Sequence, residues 1–125
     1  MSSSPKLVST ITRVSGQSIV LKVRDVPRLA PGPATQVLRI AQEALGNALR
    51  HSAAKRIAVK LGGDGERLFL KVSDDGCGFD PAGPEVRGQR LGLTSMEERA
   101  TELGGAFTVT SVAGEGTTVR LEVPA

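Results

Sequence analysis

The chain has 125 residues, 39% of them hydrophobic and 23% charged, which fits one domain over residues 1–125 and excludes a disordered polypeptide. Its charge of +3 comes from scattered basic residues, and it has no Trp or Tyr, so it offers neither a basic tract nor a stacking platform for nucleic acid; the balance suits an acidic partner or a phosphate-rich ligand. One cysteine, Cys77, excludes an internal disulfide and fits a cytoplasmic, reducing compartment, and no stretch approaches the roughly 20 apolar residues of a membrane span.

Met1-Ser2-Ser3-Ser4-Pro5 reads as a flexible start, and residues 1–6 lack the apolar core of a signal peptide. Val8 to Val14 is β-branched and alternating, Gly16-Gln17 is a turn signal, and Ile19 to Val23 is a second short strand. Val26 to Pro33 contains three prolines and reads as a loop, after which Thr35 is placed to cap a long helix ending near His51. In that helix Val37, Leu38, Ala41, Ala44, Leu45, Ala48 and Leu49 form one broad apolar stripe. Glu43 and Asn47 lie about 40° apart on a different face, with Arg50 and His51 flanking them.

Ile57, Val59 and Leu61 alternate, Gly62-Gly63-Asp64-Gly65 turns, and Leu68, Leu70 and Val72 alternate again to deliver Asp74 at a strand end. Pro81 to Gln89 reads as a mobile loop. A second helix is expected over about Thr94 to Leu103, with Leu93, Met96, Ala100 and Leu103 inward, Thr94 and Glu97 as a capping box, and Gly104-Gly105 as its stop. Phe107 and Val109, the turn Gly114-Glu115-Gly116, then Val119, Leu121 and Val123 make a final hairpin. The pattern predicts an α+β two-layer sandwich: a mixed, mostly antiparallel sheet covered on one face by helices.

Two strings carry chemistry. In Asp74-Asp75-Gly76-Cys77-Gly78 an aspartate beside two glycines can read a purine edge while backbone packs against the ring. In Gln42-Glu43-Ala44-Leu45-Gly46-Asn47-Ala48-Leu49-Arg50-His51 a glutamate and an asparagine one turn apart can serve a metal-bound triphosphate. Alone, the first string reads as an ordinary hairpin turn, and the second is open to reading as a solvated helix face. Together they point to ATP. Asn is a poor helix former, which favours a functional reason for Asn47. His51 has two readings, a partner for the helix dipole or a nucleotide contact. Cys77 reads as a filler; Leu93 and Met96 read as core.

These strings, with Leu91-Gly92-Leu93-Thr94-Ser95-Met96-Glu97-Glu98-Arg99-Ala100, Leu103-Gly104-Gly105 and Gly114-Glu115-Gly116-Thr117, resemble the ATP-binding catalytic domain of bacterial sensor histidine kinases. That domain belongs to the gyrase–Hsp90–histidine kinase–MutL superfamily and has the Bergerat fold; the nitrate-sensor-like class is the nearest in pattern. The resemblance covers roughly residues 36 to 125 and rests on four motifs in order.

The resemblance implies a role for each matching residue. Asn47 corresponds to the oxygen ligand of Mg²⁺. Glu43 corresponds to the family's catalytic acidic residue, which acts near the γ-phosphate by orienting a nucleophile or by holding a metal-bound water. Arg50 stands where the family keeps a basic group for the phosphates, with His51 beside it along the nucleotide. Asp74 corresponds to the adenine reader, Gly76 and Gly78 to the glycines under the base, and Thr117 to the threonine supporting the aspartate. Gly88 through Gly92 corresponds to the lid, and Gly92 and Leu93 open a helix whose amides can face anions. One position departs from the pattern Gly-x-Gly-Leu-Gly-Leu: its second glycine is Arg90, which either stiffens the lid or adds a phosphate contact.

The expected activity is binding of Mg-ATP and supply of its γ-phosphate to a histidine on a separate dimerisation domain, with a response regulator downstream. His51 lies within the nucleotide-binding helix and is badly placed as acceptor, so the 125-residue chain is expected to be monomeric and unable to label itself. An anti-sigma-type serine kinase and a degenerate nucleotide-binding module of the same fold are the alternatives.

Overall fold

A computed structural model describes residues 7–14, 16–51, 54–78 and 92–125. The loop expected over Pro81 to Gln89, with Gly88 and Arg90, lies outside them. The alternating β-branched residues at the start form strand β1 (Leu7–Val14), which folds back antiparallel on β2 (Gln17–Arg24). Helix α1 (Pro31–His51) then crosses over to β3 (Arg56–Gly63), which pairs parallel with β2.

Helix α1 starts four residues before the expected cap. Thr35 caps nothing: its hydroxyl donates back to the Pro31 carbonyl at 2.9 Å. Pro31 and Pro33 stand in the first turn, where backbone N–H groups have no intrahelical acceptor and a proline therefore forfeits no bond. The apolar stripe also shifts. Ile40, absent from the expected stripe, is fully buried, whereas Leu38 is 57% exposed. Val37, Ile40, Ala44 and Ala48 set the buried line, and Leu38 is turned about 100° from Val37, off that line.

Strand β4 (Arg67–Asp74) returns antiparallel beside β3. Asp64 holds the turn between them by accepting from the amides of Glu66 at 3.0 Å and Arg67 at 2.9 Å. Helix α2 (Leu93–Glu102) and the hairpin of β5 (Ala106–Val112) and β6 (Gly116–Pro124) follow. Among the described residues six strands lie in the order β1-β2-β3-β4-β6-β5. All neighbours are antiparallel except β2 and β3. This is the expected mixed sheet.

The capping box at Thr94 and Glu97 does not form. Gly92 is the N-cap of α2, with no side-chain cap, so Thr94 is already helical and unavailable for capping. The C-terminal stop forms as expected. The Gly104 amide bonds the Thr101 carbonyl at 3.0 Å and the Gly105 amide bonds Ala100 at 2.9 Å, the paired closure of a Schellman motif.

One core joins both helices to one sheet face. Ile40, Ala44 and Ala48 of α1 and Met96 and Ala100 of α2 cluster with Ile57, Leu70, Val72, Val119 and Leu121 from the strands. Strand side chains alternate faces, so residues two apart on β4 and β6 share this covered face. That alternation positions the site.

Candidate functional site

On β4 the covered-face row runs Leu68, Leu70, Val72, Asp74. On β6 the antiparallel row runs Val123, Leu121, Val119, Thr117. The first three of each are buried; Asp74 and Thr117 are half-buried and polar. Pairing puts Asp74 directly opposite Thr117 on one side and opposite Ile57 on the other. So both apolar rows change to polar at the same end of the sheet, and the residues expected to read and support a base stand side by side there.

Local bonds set these groups. Asp74 Oδ1 accepts from the Gly76 amide at 2.8 Å, curling the chain as it leaves β4. The Thr117 hydroxyl is 2.7 Å from the Ser111 hydroxyl, and Ser111 also donates to the Gly116 carbonyl at 3.2 Å. Gly78, at φ +65°, lies so close to the turn after β5 that a β-carbon would overlap the Val112 carbonyl oxygen. The Cys77 carbonyl accepts from the Gly114 amide. Gly116, at φ +104°, has the same closeness to the Asp74 carbonyl. The exit from β4 and the β5–β6 turn are thus interlocked, and this accounts for Gly78 through the fold itself.

Asp75 has a different task from its neighbour. Its Oδ1 accepts from the amides of Lys55 at 2.8 Å and Arg56 at 2.9 Å, and its own amide donates to the Arg56 carbonyl. The Arg56 amide above all, with that of Lys55 and the Arg56 charge, holds its carboxyl below the usual carboxylate range. This clamp ties the entry of β3, just after α1, to the exit of β4. It brings the last turns of α1 to the Asp74 end of the sheet.

From the middle of α1 to its end, Glu43 and Asn47 are half-buried and Arg50 is exposed. The Arg50 guanidinium folds back over Gly46, where an added β-carbon would sit 2.9 Å from Nη2. Glu43 reaches the start of α2: a β-carbon on Gly92 would overlap its Oε2. Gly92 has φ +69°, and Leu93 begins the helix. A carboxylate at that point faces the positive end of the α2 dipole. Gly88 and the His51 side chain lie outside the described residues, so of the lid only Gly92 is placed, with Leu93 opening the helix after it.

The structure therefore brings together two pairs, Asp74 with Thr117 and Glu43 with Gly92, and puts Asn47 and Arg50 on the same helix as Glu43. Asp75, Ser111 and Gly46 were not among the expected site residues. Ser111 was readable in principle: a hairpin centred on Gly114 pairs position 111 with 117. Asp75 and Gly46 depend on contacts that no spacing encodes. Glu43 and Asn47 present a carboxylate and an amide oxygen within one turn, hard donors of the kind magnesium takes. Among the described residues no three His, Cys, Asp or Glu side chains form a cluster.

Among the described residues no helix is long and apolar enough to cross a membrane. The chain is similar to the sensor histidine kinase LiaS of Bacillus subtilis, 44% identical over 96 residues, which cover 77% of this chain and 26% of LiaS. It therefore spans about a quarter of that relative's length. Among solved structures it is similar to the histidine kinase domain of the Erythrobacter litoralis blue-light activated kinase (27% identity, TM-score 0.63, 74% of this chain and 47% of that one). In fold it also matches the ATP-binding domain of PrrB from Mycobacterium tuberculosis (16% identity, TM-score 0.65, 90% of this chain and 82% of that one). Residues 32–125, from the start of α1 to the C-terminus, match the family described as histidine kinase-, DNA gyrase B-, and HSP90-like ATPase, and the chain belongs to that family.

Proposed function

We propose that this domain binds ATP with Mg²⁺ and presents the γ-phosphate to a histidine on a separate dimerisation domain of a sensor kinase, which passes the phosphoryl group to a response regulator. The observation that carries this reading is the pairing of Asp74 and Thr117 at the polar end of two apolar rows. Adenine is a flat apolar ring with a polar edge. Such a row end supplies both halves of its recognition: apolar surface for the ring and a carboxylate to accept from the exocyclic amine. Gly76 and Gly78 would flank the base, and Thr117 would steady the aspartate.

The phosphates would run toward α1 and the start of α2. Arg50 and His51 on α1 would balance their charge, with Gly88, Gly92 and Leu93 closing over them. Asn47 would hold the magnesium, which when bound neutralises phosphate charge and orients the γ-phosphate. Glu43 would act at the γ-phosphate end by orienting the attacking imidazole. Glu43 stands at the N-cap of α2, where its carboxylate faces the positive end of that helix.

Isothermal titration with ATP and Mg²⁺ tests this. Wild type binds, and Asp74→Asn, which keeps the acceptor for the Gly76 amide, loses about tenfold or more in affinity with an unchanged melting temperature. An Asp74→Asn variant that binds ATP like wild type would refute the adenine site. Incubation with γ-labelled ATP leaves the domain unlabelled unless a dimerisation domain carrying the acceptor histidine is added.

A further inference from the structure

The sheet face turned away from the helices carries a straight row of cations. Register puts Lys22 of β2 opposite Lys60 of β3, Lys60 opposite Lys71 of β4, and Lys71 opposite Arg120 of β6. Their chain neighbours Val59, Leu70, Val72, Val119 and Leu121 point into the core, so these four point the other way. Lys22, Lys60 and Arg120 are exposed and Lys71 is half-buried. The ion pairs among the described residues, Arg24 with Asp25 and Arg67 with Glu122, include none of the four. Glu122 is the one acidic side chain at a strand position on this face among the described residues, and Arg67 holds it.

Like charges directly opposite one another destabilise a sheet. Here three successive pairs repel, in a chain whose whole net charge is only +3. Nothing in the nucleotide site uses them. At about 4.8 Å between strands the row is roughly 14 Å long, and it is one residue wide. On β3, β4 and β6 the row beside it, Ala58, Ser73 and Thr118, is small and uncharged, and on β2 it continues as Val20.

We propose that this face docks an α-helix of another polypeptide that carries acidic side chains along one side. A helix repeats every 5.4 Å, close to the roughly 4.8 Å spacing of the cations, and lysine stems absorb the difference of about 2 Å over the row. The small residues let the helix axis lie near the sheet. A bilayer would be matched by uncompensated cations spread in two dimensions, and nucleic acid by aromatic side chains among them. Off the line, Arg24, Arg56 and Arg67 lie beside the carboxylates of Asp25, Asp75 and Glu122, Arg13 stands two rows away on β1, and the face has one phenylalanine among its described strand positions, Phe69. Docking here is independent of the nucleotide reading.

Fluorescence anisotropy at low salt tests it, using two labelled alanine-based peptides of about 18 residues and equal composition. One carries its glutamates along one face, and the other carries them all round. The first binds about tenfold or more tightly than the second, and Lys60→Gln with Lys71→Gln abolishes that advantage. The double variant has a urea midpoint equal to or above wild type, because repulsion is removed, and Lys22→Gln alone gives a partial loss. Equal binding of the two peptides, no binding of either, unchanged binding by the double variant, or tighter capture of phosphatidylserine vesicles or single-stranded DNA at matched charge overturns the proposal.

Discussion

The carboxylate of Glu43 occupies the space in which a side chain on Gly92 would begin. The two residues come from different helices, and their closeness joins the middle of α1 to the first turn of α2. Gly92 is therefore fixed twice: by its left-handed backbone at φ +69° and by the oxygen above it.

Gly92→Ala should destabilise the domain by about 1–2 kcal/mol from the left-handed conformation alone, with a further cost from moving Glu43. In a Glu43→Ala background the second part disappears. A double-mutant cycle by urea unfolding should then show the pair costing less than the sum of the single changes. Strict additivity would mean that Glu43 does not lie over Gly92.

Stability should fall in acid through Asp75. Its folded pKa lies below the ordinary 3.8 because the Arg56 and Lys55 amides favour the ionised form. A depressed carboxylate adds stability that is complete above its unfolded pKa and is lost as pH falls through the lower, folded value. Urea midpoints of wild type should therefore drop below about pH 4. Asp75→Asn should start lower at neutral pH and flatten that acid limb. The change should leave the pH 6–8 region parallel to wild type, since this group does not titrate there.

Much of the fold was legible in the chain because strands write their faces in alternation. Leu68, Leu70 and Val72 led to Asp74, and Val119, Leu121 and Val123 led back to Thr117, so the pair at the site followed from period two and one hairpin. Helix α1 was harder. Its small residues, Ala41, Ala44, Ala48 and Gly46, make the apolar arc wide, and Ile40 was left off it. The helix start was also misplaced, because prolines that read as loop are tolerated in a first turn. The Asp75 clamp and the seat of Arg50 over Gly46 were not legible, since both are contacts between groups whose approach only the folded backbone decides.

The corrected helix face has a direct check. Ile40→Ala removes a fully buried side chain and should cost about 2–5 kcal/mol. Leu38→Ala, at a position 57% exposed, should cost well under that, about 1 kcal/mol or less. Thermal or urea unfolding of the two variants separates them. Equal costs would put the helix in a different rotation over the sheet.

The interlock between the β4 exit and the β5–β6 turn separates what the fold needs from what a ligand needs. Gly116→Ala forces a β-carbon onto the Asp74 carbonyl at φ +104° and should cost about 2 kcal/mol or more, and nucleotide affinity should fall with it. Thr117→Val removes only a hydroxyl whose partner, Ser111, also bonds the Gly116 carbonyl. It should cost about 1 kcal/mol in stability. Any loss of ATP affinity in Thr117→Val must then come from the site itself, because the backbone around Asp74 is intact. Titration and unfolding of the same preparation read both quantities. If Thr117→Val binds nucleotide as wild type does, Thr117 serves the hairpin and has no part in holding the base.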